Sequence, residues 1–116
     1  RDGGATWRRV AGVDNVDDLA FGAPAPGASV PTIFLSGRVD GGYGIWRSTD
    51  DAASWRRIGV FPVGSLDQVT VMGADPDRFG RVYVGYMGSG FVYGEPAACE
   101  PAPHAAFAAA DCSAVE

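Results

Sequence analysis

The chain has 116 residues, of which 47% are hydrophobic and 20% charged, so it fits one small globular unit and not a disordered chain. Nine basic residues, all arginine, stand against fourteen acidic ones, and the net charge of −5 argues against a nucleic-acid partner. The longest uncharged stretch, residues 19–37, holds three prolines and several glycines, which excludes a membrane-spanning helix there.

An internal repeat organises the chain. Residues 2–10 return as residues 50–58 at an offset of 48, and three shorter matches recur at offsets of 46 to 51. Between them lie short β-rich runs bounded by Gly, Pro and Asp, with no helical apolar stripe. In chain order, the predicted strands cover residues 6–10, 16–22, 32–37, 43–48, 54–59, 66–72, 81–86 and 91–94.

A period of nearly 50 residues with four strands is typical of a β-propeller blade. The predicted fold is therefore all-β, with about one and three-quarter four-stranded antiparallel blades. Residues 1–10 are the outer strand of a preceding blade with a partial turn motif, and 11–59 are a complete blade. Residues 60–96 are a final incomplete blade, and 97–116 form an Ala- and Pro-rich tail. The chain is expected to be a piece of a longer protein.

The repeated segment carries a turn motif, the Asp-box, whose pattern is Ser/Thr-x-Asp-x-Gly-x-x-Trp. One copy runs from Ser48 through Asp50 to Trp55, with Ala52 in place of the usual Gly, and an earlier copy without the opening Ser has Asp2, Gly4 and Trp7. The Asp carboxylate is expected to accept backbone N–H bonds, the Gly to supply a positive φ, and the Trp to anchor the loop. The motif is therefore structural, and Ala52 should strain its turn.

The stretch of residues 73–96 resembles the closing segment of the family 74 glycoside hydrolases, the xyloglucanases. It reads Gly-Ala-Asp-Pro, then Gly-Arg-Val-Tyr-Val-Gly and finally Gly-Phe-Val-Tyr-Gly-Glu, and it departs from the family pattern at Tyr86-Met87 and Ser89. The resemblance implies a secreted enzyme that cuts xyloglucan or a related β-1,4-glucan, built from two seven-bladed propellers. Its catalytic aspartates lie in earlier blades, so this chain is expected to be non-catalytic scaffold.

The partners implied are a polysaccharide, through the full-length protein, and the remaining blades; no cofactor, metal, nucleic acid or membrane is expected. The arginine bias suggests a bacterial source. The alternative function is a non-enzymatic, sortilin-like propeller that binds protein or glycan. A long two-propeller reading frame upstream would favour the enzyme, and a single propeller with a membrane anchor would favour the receptor.

Blade topology predicts which loops meet a substrate. The links between blades and the turns between the second and third strands share one end of the blades, and polar or aromatic residues there can contact sugars. The candidate substrate contacts are Asp14, Asn15, Asp40, Tyr43 and Tyr86. The alternative is that these are ordinary polar loops without a ligand.

The remaining chemistry-bearing residues are few. Cys99 and Cys112 either form a disulfide, which would suit an exported protein, or remain two unpaired thiols. His104 is the only histidine, so the chain contains neither a Ser-His-Asp triad nor a zinc site with several histidines.

Overall fold

The structure, a computed structural model, describes residues 2–59, 68–88 and 90–96. The predicted all-β fold is confirmed, since these residues form strands and turns without a helix. The seven strands are β1 (Val13–Gly22), β2 (Thr32–Val39), β3 (Gly42–Ser48), β4 (Arg56–Gly59), β5 (Val69–Ala74), β6 (Val82–Tyr86) and β7 (Gly90–Gly94). None of the described segments is a helix long and apolar enough to cross a membrane.

The first sheet is an antiparallel meander in the order β1-β2-β3-β4. Strands β2 and β3 are joined by the two residues Asp40 and Gly41, whose φ angles are 49° and 81°. Positive φ at both central positions is the type I′ geometry, which matches the right-handed twist of a hairpin. This tight turn fixes the register of the hairpin from Val39 opposite Gly42 to Ile33 opposite Ser48.

The second sheet, in the order β5-β6-β7, stacks on the first with β5 beside β1. Two hydrogen bonds cross between the sheets at these strands. The Met72 amide donates to Asp18 Oδ2 over 2.7 Å, and the Ala23 amide donates to the Asp75 carbonyl over 3.0 Å. The leading strands of the two meanders are therefore neighbours, as adjacent blades require.

One hydrophobic core lies between the sheets, because alternate side chains of each strand point towards the partner sheet. Its buried members are Ala20, Phe34, Ile45, Ile58, Val69, Met72, Val82, Val84 and Tyr86. The opposite faces carry large apolar side chains, several of which are exposed. On the first sheet, Leu19 and Phe21 are 44% and 59% exposed, and on the second sheet Phe91 is 78% exposed.

The prediction of a strand at residues 6–10 is wrong, because the structure forms no strand there. A strand requires a hydrogen-bonded partner, and no strand of the described residues pairs with this segment. Trp7 lies over Gly4 of its own turn but is 89% exposed, so it is not buried against a sheet. The predicted tail 97–116, with Cys99 and Cys112, and the start of the strand predicted at residue 66 lie outside the described residues.

Candidate functional site

Four of the five predicted substrate contacts meet at one end of the first sheet. Strand β1 begins there and the β2–β3 turn closes there, with Val13 opposite Val39 and Asn15 opposite Arg38. We call this surface the polar end; it consists of Asp14, Asn15, Asp17, Arg38, Asp40 and Tyr43. The antiparallel pairing of β1 with β2 brings residues 14–17 to residues 38–43, although the two groups lie more than twenty positions apart in the chain.

Two hydrogen bonds tie the β2–β3 turn to the start of β1. The Gly41 amide donates to Asp14 Oδ2 over 3.1 Å, and the Asp40 amide donates to the Gly12 carbonyl over 2.8 Å. The Asp14 carboxylate thus holds the turn in place while Asp14 itself remains exposed. The polar end is a preorganised surface, because its loop is held by bonds that need no ligand.

Around Tyr43 the polar end contains two residues that the sequence analysis did not single out. The Tyr43 hydroxyl donates to the Asp17 carboxylate, to which Asn15 Nδ2 also donates over 3.1 Å. The Arg38 guanidinium carbon lies 5.6 Å from the centroid of the Tyr43 ring, within cation–π range. Arg38 follows from strand register, since it pairs directly with Tyr43, whereas Asp17 lies at the bulge of β1 between Val16 and Asp18 and has no paired partner.

The polar end offers hydrogen-bonding groups to a ligand and no site for a metal. Asp14, Asn15, Arg38 and Asp40 are exposed, and Tyr43 is half-buried, so carboxylates, an amide, a guanidinium and a tyrosine share one surface. Such a set suits the hydroxyl groups and apolar faces of sugars. Within the described part of the chain no group of three acidic, His or Cys residues is arranged to hold a metal ion.

The prediction that Tyr86 is the fifth substrate contact is wrong. Tyr86 is only 6% exposed and belongs to the core, so its ring offers no face for a sugar to stack on. It occupies the last pair before the β6–β7 turn, opposite Gly90, as Val39 does opposite Gly42. The next pair places Phe91 opposite Gly85, where the first sheet has Tyr43 opposite Arg38. Phe91 is 78% exposed and lies on the face of the second sheet opposite to the core, because its neighbour Val92 packs against the core.

The turn from Ser48 to Trp55 lies at the opposite end of the first sheet and holds its aspartate in a set of local bonds. The Asp50 carboxylate accepts from the Ser54 amide over 2.9 Å, from the Ser54 hydroxyl, and from the Ser48 hydroxyl over 2.8 Å. Ser48 Oγ in turn accepts from the Ala52 amide over 3.0 Å. Because the Asp50 carboxylate makes these bonds within its own turn, they support a structural role for Asp50.

The turn that begins at Asp2 repeats this geometry. The Thr6 hydroxyl donates to Asp2, as the Ser54 hydroxyl does to Asp50. The Ala5 amide donates to the Asp2 carbonyl over 3.4 Å, and the Ala53 amide donates to the Asp50 carbonyl over 3.2 Å. Residues 3 and 4 have φ of 68° and 90°, and residues 51 and 52 have φ of 60° and 69°. The sequence repeat is therefore also a repeat of local conformation.

Replacing Ala52 by glycine is expected to stabilise the chain. Ala52 has φ of 69°, a left-handed conformation that costs a residue with a Cβ about 1–2 kcal/mol and costs glycine almost nothing. After the entropy of the added glycine is subtracted, the free energy of unfolding should rise by a few tenths to about 1 kcal/mol. Urea unfolding measures the effect as a higher midpoint at unchanged slope. The control Ala53→Gly, whose parent residue is not among those with positive φ, should lower the midpoint.

Acid is expected to loosen the Asp50 turn. The hydroxyl and amide of Ser54, followed by Ser48, hold the pKa of Asp50 below its ordinary value of 3.8. A carboxyl with a lowered folded-state pKa stabilises the fold above its unfolded pKa and loses that contribution as the pH falls through the folded value. Stability should therefore decline below pH 3.8, and less so in Asp50→Asn. Carboxyl ¹³C NMR titration measures the shift directly, and a midpoint above 3.8 would contradict the bonding described here.

Comparison with known proteins identifies the relatives of this fold. The chain is 39% identical over 95 residues to the xyloglucanase Xgh74A of Acetivibrio thermocellus and 36% identical over 95 residues to a xyloglucanase of a Paenibacillus species, each match covering 82% of the chain. It also superposes on solved structures. A GH74 enzyme of Niastella koreensis matches 78% of the chain with a TM-score of 0.68 and 33% identity. A GH74 xyloglucanase of Xanthomonas campestris matches 84% with a TM-score of 0.67 and 32% identity.

The predicted resemblance to family 74 glycoside hydrolases is confirmed. The predicted class of propeller blades is confirmed with it, because two stacked antiparallel meanders match family 74 structures at identities above 30%. The chain spans only 11% and 9% of the lengths of the two bacterial xyloglucanases and 13–14% of the two family 74 structures. No protein-family model matches the chain.

Proposed function

We propose that the chain is a propeller segment of a secreted bacterial family 74 enzyme that acts on xyloglucan or a related β-1,4-glucan. The observation that carries the proposal is the similarity of most of the chain to xyloglucanases of two bacterial genera. The polar end supports it, because a preorganised surface of carboxylates, an arginine and a tyrosine is suited to sugar hydroxyls. The partners of the whole protein would be its polysaccharide and its other blades.

Within such an enzyme the chain's role would be scaffold and substrate contact rather than bond cleavage. Glycosidases need a carboxylic acid whose pKa is raised, paired with a second carboxylate across the scissile bond. The pKa values of Asp2 and Asp50 are instead lowered, each chiefly by a side-chain hydroxyl of its own turn. We therefore propose that the two repeated turns are Asp-boxes that brace the blades, and that the catalytic pair lies elsewhere in the protein.

The exposed apolar faces would be covered by neighbouring blades of a seven-bladed ring. Leu19 and Phe21 on one side of the stack, and Val71 and Phe91 on the other, are each more than 40% exposed. Large apolar side chains on both outer faces are expected when a repeat continues in both directions. In this arrangement residues 11–59 and 60–96 are successive blades and residues 1–10 belong to the blade before them.

Xyloglucan binding tests the proposal. In affinity gel electrophoresis the chain should be retarded by soluble xyloglucan and not by an α-glucan, and it should release no reducing ends. Arg38→Ala should weaken the retardation several-fold by removing the exposed guanidinium beside Tyr43. Arg78→Ala is the matched control. Arg78 is an exposed arginine near Glu95, and it lies in the β5–β6 loop of the second sheet, at the end opposite to the β6–β7 turn.

The outcomes separate the parts of the proposal. Equal retardation of wild type, Arg38→Ala and Arg78→Ala would show that the polar end does not bind xyloglucan. Hydrolysis by the chain alone would overturn the scaffold role. A longer protein that contains this segment and does not cleave xyloglucan or another β-1,4-glucan would overturn the enzymatic assignment itself.

A further inference from the structure

A bulge in β1 supplies the carboxylate that ties the polar end together. Val16 pairs with Gly37 and Asp18 pairs with Ser36, so β1 has one residue more than β2 between these pairs. The extra residue is Asp17, which is half-buried. A bulge redirects a side chain that regular pairing would place elsewhere, and bulges are frequent beside active sites. The bulge therefore sets Asp17 apart from the paired residues on either side of it.

Tyr43 reaches Asp17 across the middle of three strands. Asn15, Arg38 and Tyr43 form one row, because Asn15 pairs with Arg38 and Arg38 with Tyr43. Strands β1 and β3 are two strand spacings apart, about 10 Å, so the bond from the Tyr43 hydroxyl to Asp17 requires the tyrosine to extend across β2. The Arg38 guanidinium carbon lies 5.6 Å from the centroid of its ring. Tyr43 is thus held at its backbone in β3 and at its hydroxyl by β1.

The Asp17 carboxylate orients two side chains at once. It accepts from the Tyr43 hydroxyl and from Asn15 Nδ2, the latter over 3.1 Å. Each bond holds one donor, so the Tyr43 ring and the Asn15 carbonyl oxygen have set orientations before a ligand arrives. A side chain that is already ordered loses less entropy on binding, and this smaller loss raises the affinity for a ligand.

We propose that Asp17 is the positioning residue of the polar end. It fixes Tyr43 and Asn15 in the orientations in which they contact sugar, and it makes no ligand contact of its own. The inference rests on the proposed function, because it concerns how the polar end binds a glycan. Position 17 then needs an acceptor rather than a negative charge. An asparagine there keeps an acceptor for the Tyr43 hydroxyl, and the Asn15 amide can turn its oxygen towards the new NH₂ group.

Affinity gel electrophoresis of the 116-residue chain in soluble xyloglucan measures the effect. Asp17→Ala should weaken retardation about tenfold, which corresponds to the loss of one hydrogen bond. Asp17→Asn should stay within about twofold of wild type, because it keeps the acceptor. Asp77→Ala is the matched control. It removes an exposed carboxylate in the β5–β6 loop, outside the polar end, and should bind like wild type.

Two further readouts separate positioning from a general effect on stability. The Tyr43 ring signals in a ¹H–¹³C NMR spectrum should move in Asp17→Ala and stay near their wild-type positions in Asp17→Asn and Asp77→Ala. In a Tyr43→Phe background, which lacks the hydroxyl, Asp17→Ala should weaken retardation less than it does in wild type. Residues that act through one another are not additive in this way, whereas independent residues are.

The outcomes distinguish this inference from the proposed function. If xyloglucan did not retard wild type, the proposed function would fail, and the role of Asp17 in binding would fail with it. If wild type and Asp17→Ala were retarded equally, only the role of Asp17 would be overturned. An equal loss of retardation in Asp17→Asn and Asp17→Ala would overturn it too, because the charge would then matter. Unmoved Tyr43 signals in Asp17→Ala, or full additivity with Tyr43→Phe, would have the same meaning.

Discussion

Replacing Phe34 by alanine is expected to abolish cooperative unfolding of the chain. Phe34 is fully buried in the core between the two sheets. Its ring also packs against β1, since a Cβ placed on Gly22 would lie 3.1 Å from Phe34 Cε2. A buried Phe→Ala change costs about 3–5 kcal/mol through lost transfer energy and the cavity left behind. Whole domains are stable by only about 5–15 kcal/mol, and small ones lie low in that range.

The measurement is thermal unfolding followed by far-ultraviolet circular dichroism. The matched control is Phe21→Ala, the same chemical change at a β1 residue that is 59% exposed, and it should leave the transition within about 1 kcal/mol of wild type. Comparable losses in the two variants would mean that the core does not lie between these sheets.

The second large effect is expected from Gly37→Ala. Gly37 lies opposite Val16 at a bulge between β1 and β2 and has φ of 156°. An added Cβ would overlap the Asn15 carbonyl oxygen and lie 2.9 Å from the carbonyl carbon, and backbone cannot move aside as a flexible side chain can. Overpacking typically costs about 1–3 kcal/mol, and strained backbone about as much again.

Under the proposed function, the same substitution should also weaken xyloglucan binding, because the displaced residue, Asn15, belongs to the polar end. Urea unfolding and affinity electrophoresis measure the two effects. Gly73→Ala is the control, a glycine within β5 where an added Cβ meets nothing within 4 Å, and it should stay within about 0.5 kcal/mol of wild type. If Gly37→Ala lowered the free energy of unfolding as little as Gly73→Ala, the bulge at Gly37 would not be as tightly packed as described.

The sequence predicts those parts of the fold that local chemistry decides. The β2–β3 hairpin follows from the short β-rich runs on both sides of Asp40-Gly41, and the positive φ at Ala52 follows from the glycine that the turn pattern requires there. The strand predicted at residues 6–10 failed because pairing is not local. Its sequence matches that of β4, but a strand forms only beside another strand.

The errors at the candidate site come from register. Taking Tyr86 as the first residue of a turn placed it among the loops, whereas it is the last paired residue of β6. A shift of one residue moves a side chain to the other face of a sheet, so Tyr86 lies in the core and Phe91 on the surface. Arg38 was missed because only the pairing of strands reveals its approach to Tyr43. Asp17 was missed because it reaches Tyr43 from a bulge in β1, which the sequence pattern does not predict.

Hydrogen exchange at the Met72 amide tests the central claim, that the two sheets are adjacent blades with β1 beside β5. This amide donates across the interface to Asp18 Oδ2, 54 positions away in the chain. It should exchange slowly in wild type and at least about tenfold faster in Asp18→Ala, which corresponds to a lost hydrogen bond of about 1.4 kcal/mol. The Met87 amide, bonded to the Gln68 carbonyl within the second sheet, should be unchanged. Equal exchange at Met72 in both proteins would contradict the stacking of the two blades.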